Sequence, residues 1–385
     1  MKNAFLKEAE TKKALADFIL STDRLSMGNH CSKFEVSFST KQQRSNAVLF
    51  NSGGSANLAM LQALINLGRL NTGDPVAYSA LTWSTNTMPI IQMGLEPIAL
   101  DCELDTLNVS SQKVKERYEE VPFKALFITN VLGFTADIDQ IKKFCNENNI
   151  LLLEDNCESL GTVLPQGRTG NFGIASTFSF YVAHHMSTIE GGMVCTNDKE
   201  LADMLKIVRA NGWDRNLDKK KQDELRETHR ISDFESNYTF YDLGYNLRPT
   251  EITGFLGNYQ LQFLDHTIDL REKNYLEIER AISENDDFHN LDHAHILKLS
   301  TFAVPVICKT KELRQHYLNR FDSSGIETRP MIAGNMQRQP YYTKYVKQLF
   351  ELSNTDLIHS NGFYCGNYPE LSTDDIALII SCLEK

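Results

Sequence analysis

Two adjacent histidines, His184 and His185, lie in the stretch FSFYVAHHMSTIEGG, between a strand-like run and a Glu-Gly-Gly turn. An imidazole has an unperturbed pKa of about 6.5 and therefore suits a general base near neutral pH. It cannot form the stable covalent link to a carbonyl compound that a lysine amine forms. No lysine lies between Lys143 and Lys199. This part of the chain therefore offers proton transfer without an amine nucleophile.

A second candidate site is the stretch NSGGSAN at residues 51–57, which joins an apolar strand-like run to a helical pattern. Glycines allow the backbone to approach an anion, and the free N–H groups at the start of a helix point toward it. The pattern predicts a phosphate cradle, with a flexible strand–helix turn as the alternative.

A third feature is the acidic run EDNCE at residues 154–158, directly after the apolar ILLL. A carboxylate at the end of a buried strand requires a cation or hydrogen-bond donors, although an acid here could also cap a helix. A cradle for phosphate and a carboxylate for a cation together fit pyridoxal phosphate, whose protonated ring nitrogen makes the ring an electron sink. Trp83, in LTWSTN, could stack on such a ring or pack in the core.

The elements that must position these residues alternate between apolar runs and helical patterns from residue 46 to about 200. This alternation predicts an α/β fold with a mostly parallel mixed sheet covered by helices. We expect a large domain over residues 1–250, with helices at its N-terminus, and a smaller C-terminal α/β domain over 251–385. A long helix within 250–283 would link them. The polar stretch 214–236 is expected to be an exposed excursion.

Bulk properties exclude several functions. The chain has 385 residues and a formal net charge of −11, which argues against nucleic-acid binding. No apolar run is long enough to span a membrane, and the charged N-terminus is unlike a signal peptide. Eight scattered cysteines without a CxxC pair predict reduced thiols, no metal site and a cytoplasmic protein.

Seven segments, in this order, resemble the fold-type-I sugar aminotransferase family that acts on nucleotide-linked 4-keto sugars: NSGGSANL, LTWSTN, LLLEDNCESLG, STFSFYVAHHMSTIEGGMVCTND, RANGWDRN, GYNLRPTEITG and ETRPMIAGN. In that family a lysine that binds the cofactor lies five residues after the serine of a Ser-Phe pair. From Ser179 this count arrives at His184.

The His-His pair and Glu-Gly-Gly resemble the branch of the family that dehydrates sugars at carbon 3, and imply GDP-4-keto-6-deoxy-D-mannose as substrate. A related CDP-sugar branch adds an iron–sulfur cluster held by downstream cysteines. No cysteine lies between Cys195 and Cys308, so we expect no such cluster. The nucleotide, GDP rather than CDP or dTDP, depends on the resemblance alone.

The resemblance also implies roles for individual residues. Asp155 would pair with the ring nitrogen, Glu158 would lie near the ring hydroxyl, and Trp83 would stack on the ring. The phosphate would be held by a set completed from a second subunit, which requires a homodimer with shared active sites: Gly54, Ser55, Ser179 and the partner's copy of Asn246. Gly54 stands where this branch usually has serine.

Three further residues have less defined roles. His185 is expected in the core or behind His184, with direct contact to the substrate as the alternative. Arg248 and Arg329 could hold the nucleotide phosphates or a carboxylate, or could be ordinary surface charges.

The implied reaction begins when L-glutamate converts the bound cofactor to pyridoxamine phosphate and leaves as 2-oxoglutarate. The amine condenses with carbon 4 of the sugar, and His184 removes a proton from the cofactor's methylene group. Without a lysine to protonate carbon 4, the hydroxyl at carbon 3 leaves. Water then releases the unsaturated amine, which collapses to a 4-keto-3,6-dideoxy sugar and ammonia, a reaction expected in lipopolysaccharide O-antigen biosynthesis. The alternatives are an aminotransferase that recruits Lys142, Lys143 or Lys199, and a catalytically silent ligand-binding relative.

Overall fold

The computed structural model describes residues 3–385. Most of its strands are the short apolar runs that the sequence predicts: β1 (Asn46–Phe50), β2 (Pro75–Ser79), β3 (Glu96–Leu100), β4 (Ala125–Thr129), β5 (Leu151–Asp155), β6 (Val163–Leu164), β7 (Gly167–Arg168), β8 (Ala175–Ser179), β9 (Gly192–Thr196), β10 (Ala303–Ile307), β11 (Thr328–Pro330) and β12 (Gly362–Gly366).

The helices that connect and cover these strands are α1 (Glu8–Ser21), α2 (Asn29–Gln42), α3 (Gly53–Asn66), α4 (Ser84–Gln92), α5 (Ser111–Glu120), α6 (Ile138–Glu147), α7 (Lys199–Arg209), α8 (Lys219–His229), α9 (Glu251–Leu261), α10 (Leu264–Ser283), α11 (Lys311–Ser323), α12 (Pro340–Tyr345), α13 (Ser353–Asn361) and α14 (Thr373–Leu383).

The large sheet has seven strands in the order β1-β9-β8-β5-β4-β2-β3. Its pairs are parallel except where β9 pairs with β1 and β8. Both faces are covered, because successive residues of a strand enter different cores: Tyr78 packs with α3 and α7, whereas Ala77 packs with α5 and α6. The mostly parallel α/β architecture predicted from the sequence is confirmed.

The C-terminal part builds a separate antiparallel sheet of three strands, in the order β10-β12-β11. Its core includes α11, α13 and α14, together with the last turns of α10. Helix α10 contributes to two cores, since Leu264 and Ile268 pack beside the large sheet while Ile278 and Ile282 pack with the small one. Helix α9 packs against α2. The domain boundary at residue 250 stays a prediction.

The polar stretch 214–236 contains helix α8, which has no buried residue. It leads into the exposed aromatic residues Phe234, Tyr238 and Phe240. None of the helices within residues 3–385 is long and apolar enough to cross a membrane.

Candidate active site

A cavity of about 1050 Å³ lies between the two sheets. One wall is formed by the residues that follow the carboxyl ends of β1, β2, β5 and β8, where α/β sheets bind their ligands. The small sheet closes the other side. Seven of the predicted site residues line the cavity: Gly54, Trp83, Asp155, Glu158, Ser179, His184 and Arg329.

The predicted phosphate cradle is the start of α3, where the Ser52 hydroxyl caps the helix by accepting the Ser55 N–H at 3.0 Å. The backbone approaches its neighbours closely here. A Cβ at Gly53 would lie 2.7 Å from the Ser179 Cβ, and one at Gly54 would lie 2.9 Å from a methyl group of Thr85. Ser55 does not line the cavity, and its hydroxyl accepts a hydrogen bond from the Ser52 hydroxyl at 2.9 Å. The cradle therefore presents Ser52 and main-chain N–H groups to a ligand.

Asp155 ends β5 and is only 3% exposed. Its Oδ2 accepts hydrogen bonds from the side-chain amides of Asn57 at 2.9 Å and Asn86 at 2.8 Å, and its Oδ1 accepts the Cys157 N–H at 2.9 Å. Within residues 3–385 it forms no ion pair. A buried, oriented carboxylate without a cation is a receptor for a positively charged ligand group.

Glu158 lies one turn further, and its Oε2 accepts the Leu132 N–H at 2.9 Å. Burial, reinforced by the nearby charge of Asp155, raises the pKa of Glu158 to about 8. The group is therefore protonated at neutral pH. A protonated carboxyl can donate a hydrogen bond into the cavity as a glutamine amide would.

His184 lies in the loop after β8, and its ring packs against Phe302 with centroids 5.1 Å apart. Burial, followed by the positive charge of Arg271, lowers the pKa of His184 to about 4. The imidazole is neutral near pH 7 and is ready to accept a proton. Its neighbour His185 is 3% exposed, does not line the cavity, and bonds through Nε2 to the Ser300 carbonyl at 3.1 Å.

No lysine lines the cavity within the described chain. Lys199 lies elsewhere, in ion pairs with Asp203 and Asp218. Lys142 and Lys143 are on α6, which packs on the flank of the large sheet. Trp83 is 55% exposed, so its ring is available to a flat ligand.

Besides Ser55 and His185, two more predicted residues lie outside the cavity of this chain. Asn246 and Arg248 are exposed, and Arg248 donates to the Asn246 Oδ1 at 3.0 Å. Arg329 does line the cavity, where it pairs with Glu327. The site in one chain thus contains a single arginine among its described lining residues.

Sequence reasoning missed several functional candidates. Ser52, Thr85 and Asn86 lie within the quoted motifs NSGGSANL and LTWSTN, so their polar character beside glycine or tryptophan was an available signal. Arg271 gave no such signal, because an arginine in a helical pattern is usually a surface charge. It is nevertheless 3% exposed, and it donates to the main-chain carbonyls of Phe302 and Asn367 at 2.8 and 2.6 Å.

The model of the DegT/DnrJ/EryC1/StrS aminotransferase family matches residues 6–384, and the chain belongs to this family. Its architecture is that of the fold-type-I enzymes that use pyridoxal phosphate.

Within the family, the chain is similar to GDP-4-keto-6-deoxy-D-mannose 3-dehydratase of Escherichia coli O55:H7. The two are 33% identical over 365 residues, which cover 93% of this chain and 92% of the relative. A solved structure of the E. coli 3-dehydratase with bound hydrated PLP superposes with a TM-score of 0.88 at 30% identity, covering 97% of this chain and 96% of the other. A structure of the 3-dehydratase with a trapped PLP-glutamate geminal diamine also gives 0.88, at 31% identity and 97% coverage of each chain.

Proposed function

We propose that this protein is a PLP-dependent 3-dehydratase of GDP-4-keto-6-deoxy-D-mannose that uses L-glutamate to regenerate the amine form of the cofactor. The observation that carries the proposal is His184 in a cavity whose described lining contains no lysine. The similarity to the named 3-dehydratases over more than nine tenths of the chain supports the substrate, and the PLP-glutamate structure supports the amino donor.

The cavity fits pyridoxal phosphate on three separate observations. The start of α3 lines the cavity with Ser52, Gly53 and Gly54, and the main-chain N–H groups at the start of a helix suit a bound phosphate. Asp155 is a buried carboxylate that forms no ion pair within residues 3–385, which suits a protonated pyridine nitrogen. Trp83 offers an exposed aromatic face.

Each of these groups would hold one part of the cofactor. Ser52, Gly54 and Ser179 would bind the phosphate, Asp155 would keep the ring nitrogen protonated, and Trp83 would stack on the ring. Glu158 would donate a hydrogen bond to the ring oxygen, because its raised pKa keeps it protonated. When bound, the cofactor supplies an electron sink for the carbon beside its amine.

His184 would act as the base that removes a proton and then as the acid that assists the leaving hydroxyl. Its low pKa keeps the ring neutral before the reaction, and the resulting imidazolium is a strong acid in this surrounding. A strong acid beside carbon 3 favours departure of hydroxide as water. Transamination needs an amine that protonates carbon 4 and recaptures the cofactor, and no described residue of the cavity wall provides one.

We further propose a homodimer in which the partner's copy of Asn246, with Arg248 beside it, completes the phosphate site. The proposal is supported by the exposure of both residues and by the neighbouring exposed aromatic side chains of Tyr238 and Phe240. A cytoplasmic location is proposed from the eight cysteines, all of which are free.

The test is incubation of the purified protein with pyridoxal phosphate, L-glutamate and GDP-4-keto-6-deoxy-D-mannose, with CDP- and dTDP-linked sugars as controls. We expect 2-oxoglutarate, ammonia and a GDP-sugar that has lost its 3-hydroxyl without gaining nitrogen, measured by mass spectrometry. A product carrying an amino group would establish an aminotransferase instead. Absence of turnover with every sugar, although cofactor binds, would identify a silent relative.

A further inference from the structure

A second, much smaller void lies directly behind His184. Its volume is about 30 Å³, and it is lined by His184, His185 and Arg271, among other residues. His184 also lines the large cavity, so this residue lies between the two spaces. The surroundings of the void can therefore act on the imidazole from the side away from the substrate.

Each of these three residues carries a buried nitrogen with no hydrogen-bond partner within residues 3–385. These atoms are Nδ1 of His184, Nδ1 of His185 and Nε of Arg271. Buried polar atoms of folded proteins are almost always hydrogen-bonded to protein or to ordered water. Because all three residues line the same small void, one partner inside it would satisfy all three atoms.

The protonation of two of the three atoms follows from their neighbours. Nε of Arg271 always carries a hydrogen and can only donate. Nε2 of His185 faces the Ser300 carbonyl at 3.1 Å and must therefore be its protonated nitrogen. Burial, with the charges of Arg271 and His184, lowers the pKa of His185 well below its usual range, so the ring is neutral. Its Nδ1 is consequently an acceptor.

We propose that the void binds one ordered water, which accepts hydrogen bonds from Arg271 Nε and His184 Nδ1 and donates one to His185 Nδ1. Water has two acceptor and two donor positions, so this pattern matches it, and a void of this volume holds one molecule. An anion such as chloride does not fit, because it cannot donate to the His185 nitrogen.

The water would act on the tautomer of His184 together with the main-chain carbonyl of Cys157, which also contacts the ring. If Nδ1 donates to the water, the hydrogen of the neutral ring is on Nδ1, and Nε2 keeps the lone pair that a base requires. Arg271 also donates to the His184 carbonyl at 3.4 Å, so the same side chain holds the backbone of this loop. His185 and Arg271 are thus positioning residues for His184. Their role in catalysis depends on the proposed function. The presence of the water and the tautomer of His184 do not depend on it.

The first test is a high-resolution crystal structure of the full chain, with or without cofactor. An ordered water within about 3.2 Å of all three nitrogens supports the proposal. A chloride ion, or a void without ordered solvent, overturns it. Ring-labelled ¹⁵N histidine NMR, assigned with His184→Asn, is the second measurement: a His184 ring protonated on Nδ1 supports the proposal, and one protonated on Nε2 overturns it.

Two substitutions of His185 distinguish its proposed role as a hydrogen-bond acceptor for the water from a role as an anchor of the loop. Asparagine places an oxygen near the position of Nδ1 but does not reach Ser300, whereas glutamine keeps a donor toward Ser300 and loses the Nδ1 acceptor. We expect His185→Gln to move His184 toward the Nε2-protonated form and to lower kcat about 10-fold with KM unchanged, and His185→Asn to be much less affected. The reverse order, with glutamine the better replacement, would show that His185 only anchors the loop and would overturn the proposal.

Discussion

Replacement of Asp155 by asparagine removes a buried negative charge while leaving the shape of the site almost unchanged. In the folded chain, Asp155 accepts three hydrogen bonds, two of them from the amides of Asn57 and Asn86. The Oδ1 atoms of both asparagines are buried and have no hydrogen-bond partner in the described part of the chain. If both amides rotate by 180°, these oxygens accept from the new amide, and its own oxygen still accepts the Cys157 N–H. Asp155→Asn should therefore fold normally.

The removal of this negative charge should weaken cofactor binding. Two unit charges about 3 Å apart interact by roughly 5 kcal/mol at an effective dielectric constant of 20. Desolvation offsets part of this, and loss of one partner of a buried charge pair typically weakens binding by about 2–5 kcal/mol. The affinity of Asp155→Asn for pyridoxamine phosphate should therefore fall by roughly 30-fold to 5,000-fold.

The assay is an equilibrium titration of cofactor-free protein with pyridoxamine phosphate, followed by absorbance or by tryptophan fluorescence. The matched control is Glu154→Gln, one residue earlier in the same strand. Glu154 is also fully buried and accepts N–H bonds from Gly170, Phe172 and Gly173, but it does not line the cavity. We expect that variant to lose stability and to keep its affinity. An Asp155→Asn protein with a normal melting temperature and less than 3-fold weaker binding would refute the assigned role of Asp155.

Three further predictions concern other parts of the site. His184→Lys should lose dehydration by about 100-fold or more and should hold the cofactor covalently, which borohydride reduction followed by mass spectrometry detects; an unmodified chain would contradict this. Glu158 has a pKa of about 8 in the folded protein against an ordinary 4.5, so the folded chain binds an extra proton between these values and its stability falls as pH rises through them. Glu158→Gln should flatten this part of the melting-temperature profile of the cofactor-free protein between pH 5 and 8.5, and an unchanged slope would count against the burial effect. Gly54→Ser restores a hydroxyl but places its Cβ 2.9 Å from a methyl group of Thr85, so it should weaken cofactor binding up to about 10-fold, and addition of Thr85→Ser should recover most of the loss. Tighter binding by Gly54→Ser alone would show that the cradle has more room than the structure indicates.

Short-range sequence patterns were sufficient to predict most strands and helices of the fold. The run ILLLED predicts a buried strand because every side chain on it but the last two is apolar, and β5 occupies Leu151–Asp155. The same local logic predicts helix α11 near residues 311–323. The polar stretch 214–236 is mostly exposed, as expected, although Asp214, Leu217 and Ser236 are buried. Helix α8 within it was not predicted, because a helix without an apolar face carries little periodic signal.

The motifs of the site could also be recognised from the sequence, because each is unusual at its position. They are glycine beside serine, an acid after an apolar strand, and a histidine in place of a lysine. By itself, the sequence therefore determined the kind of sheet, the family resemblance and the chemical types that line the cavity.

Only the tertiary structure decided how these groups are charged and held. A pKa depends on burial and on neighbours distant in the chain: Arg271 lies 87 residues from His184, yet donates to its carbonyl and lowers its pKa. Likewise, the two amides that orient Asp155 come from α3 and α4. The void beside His184 is lined by the loop after β8, by α10 and by other segments that are remote in sequence. Contacts between remote segments produce no periodic pattern in the sequence. The site residues could therefore be predicted from the sequence, whereas their pKa values and hydrogen-bond partners could not.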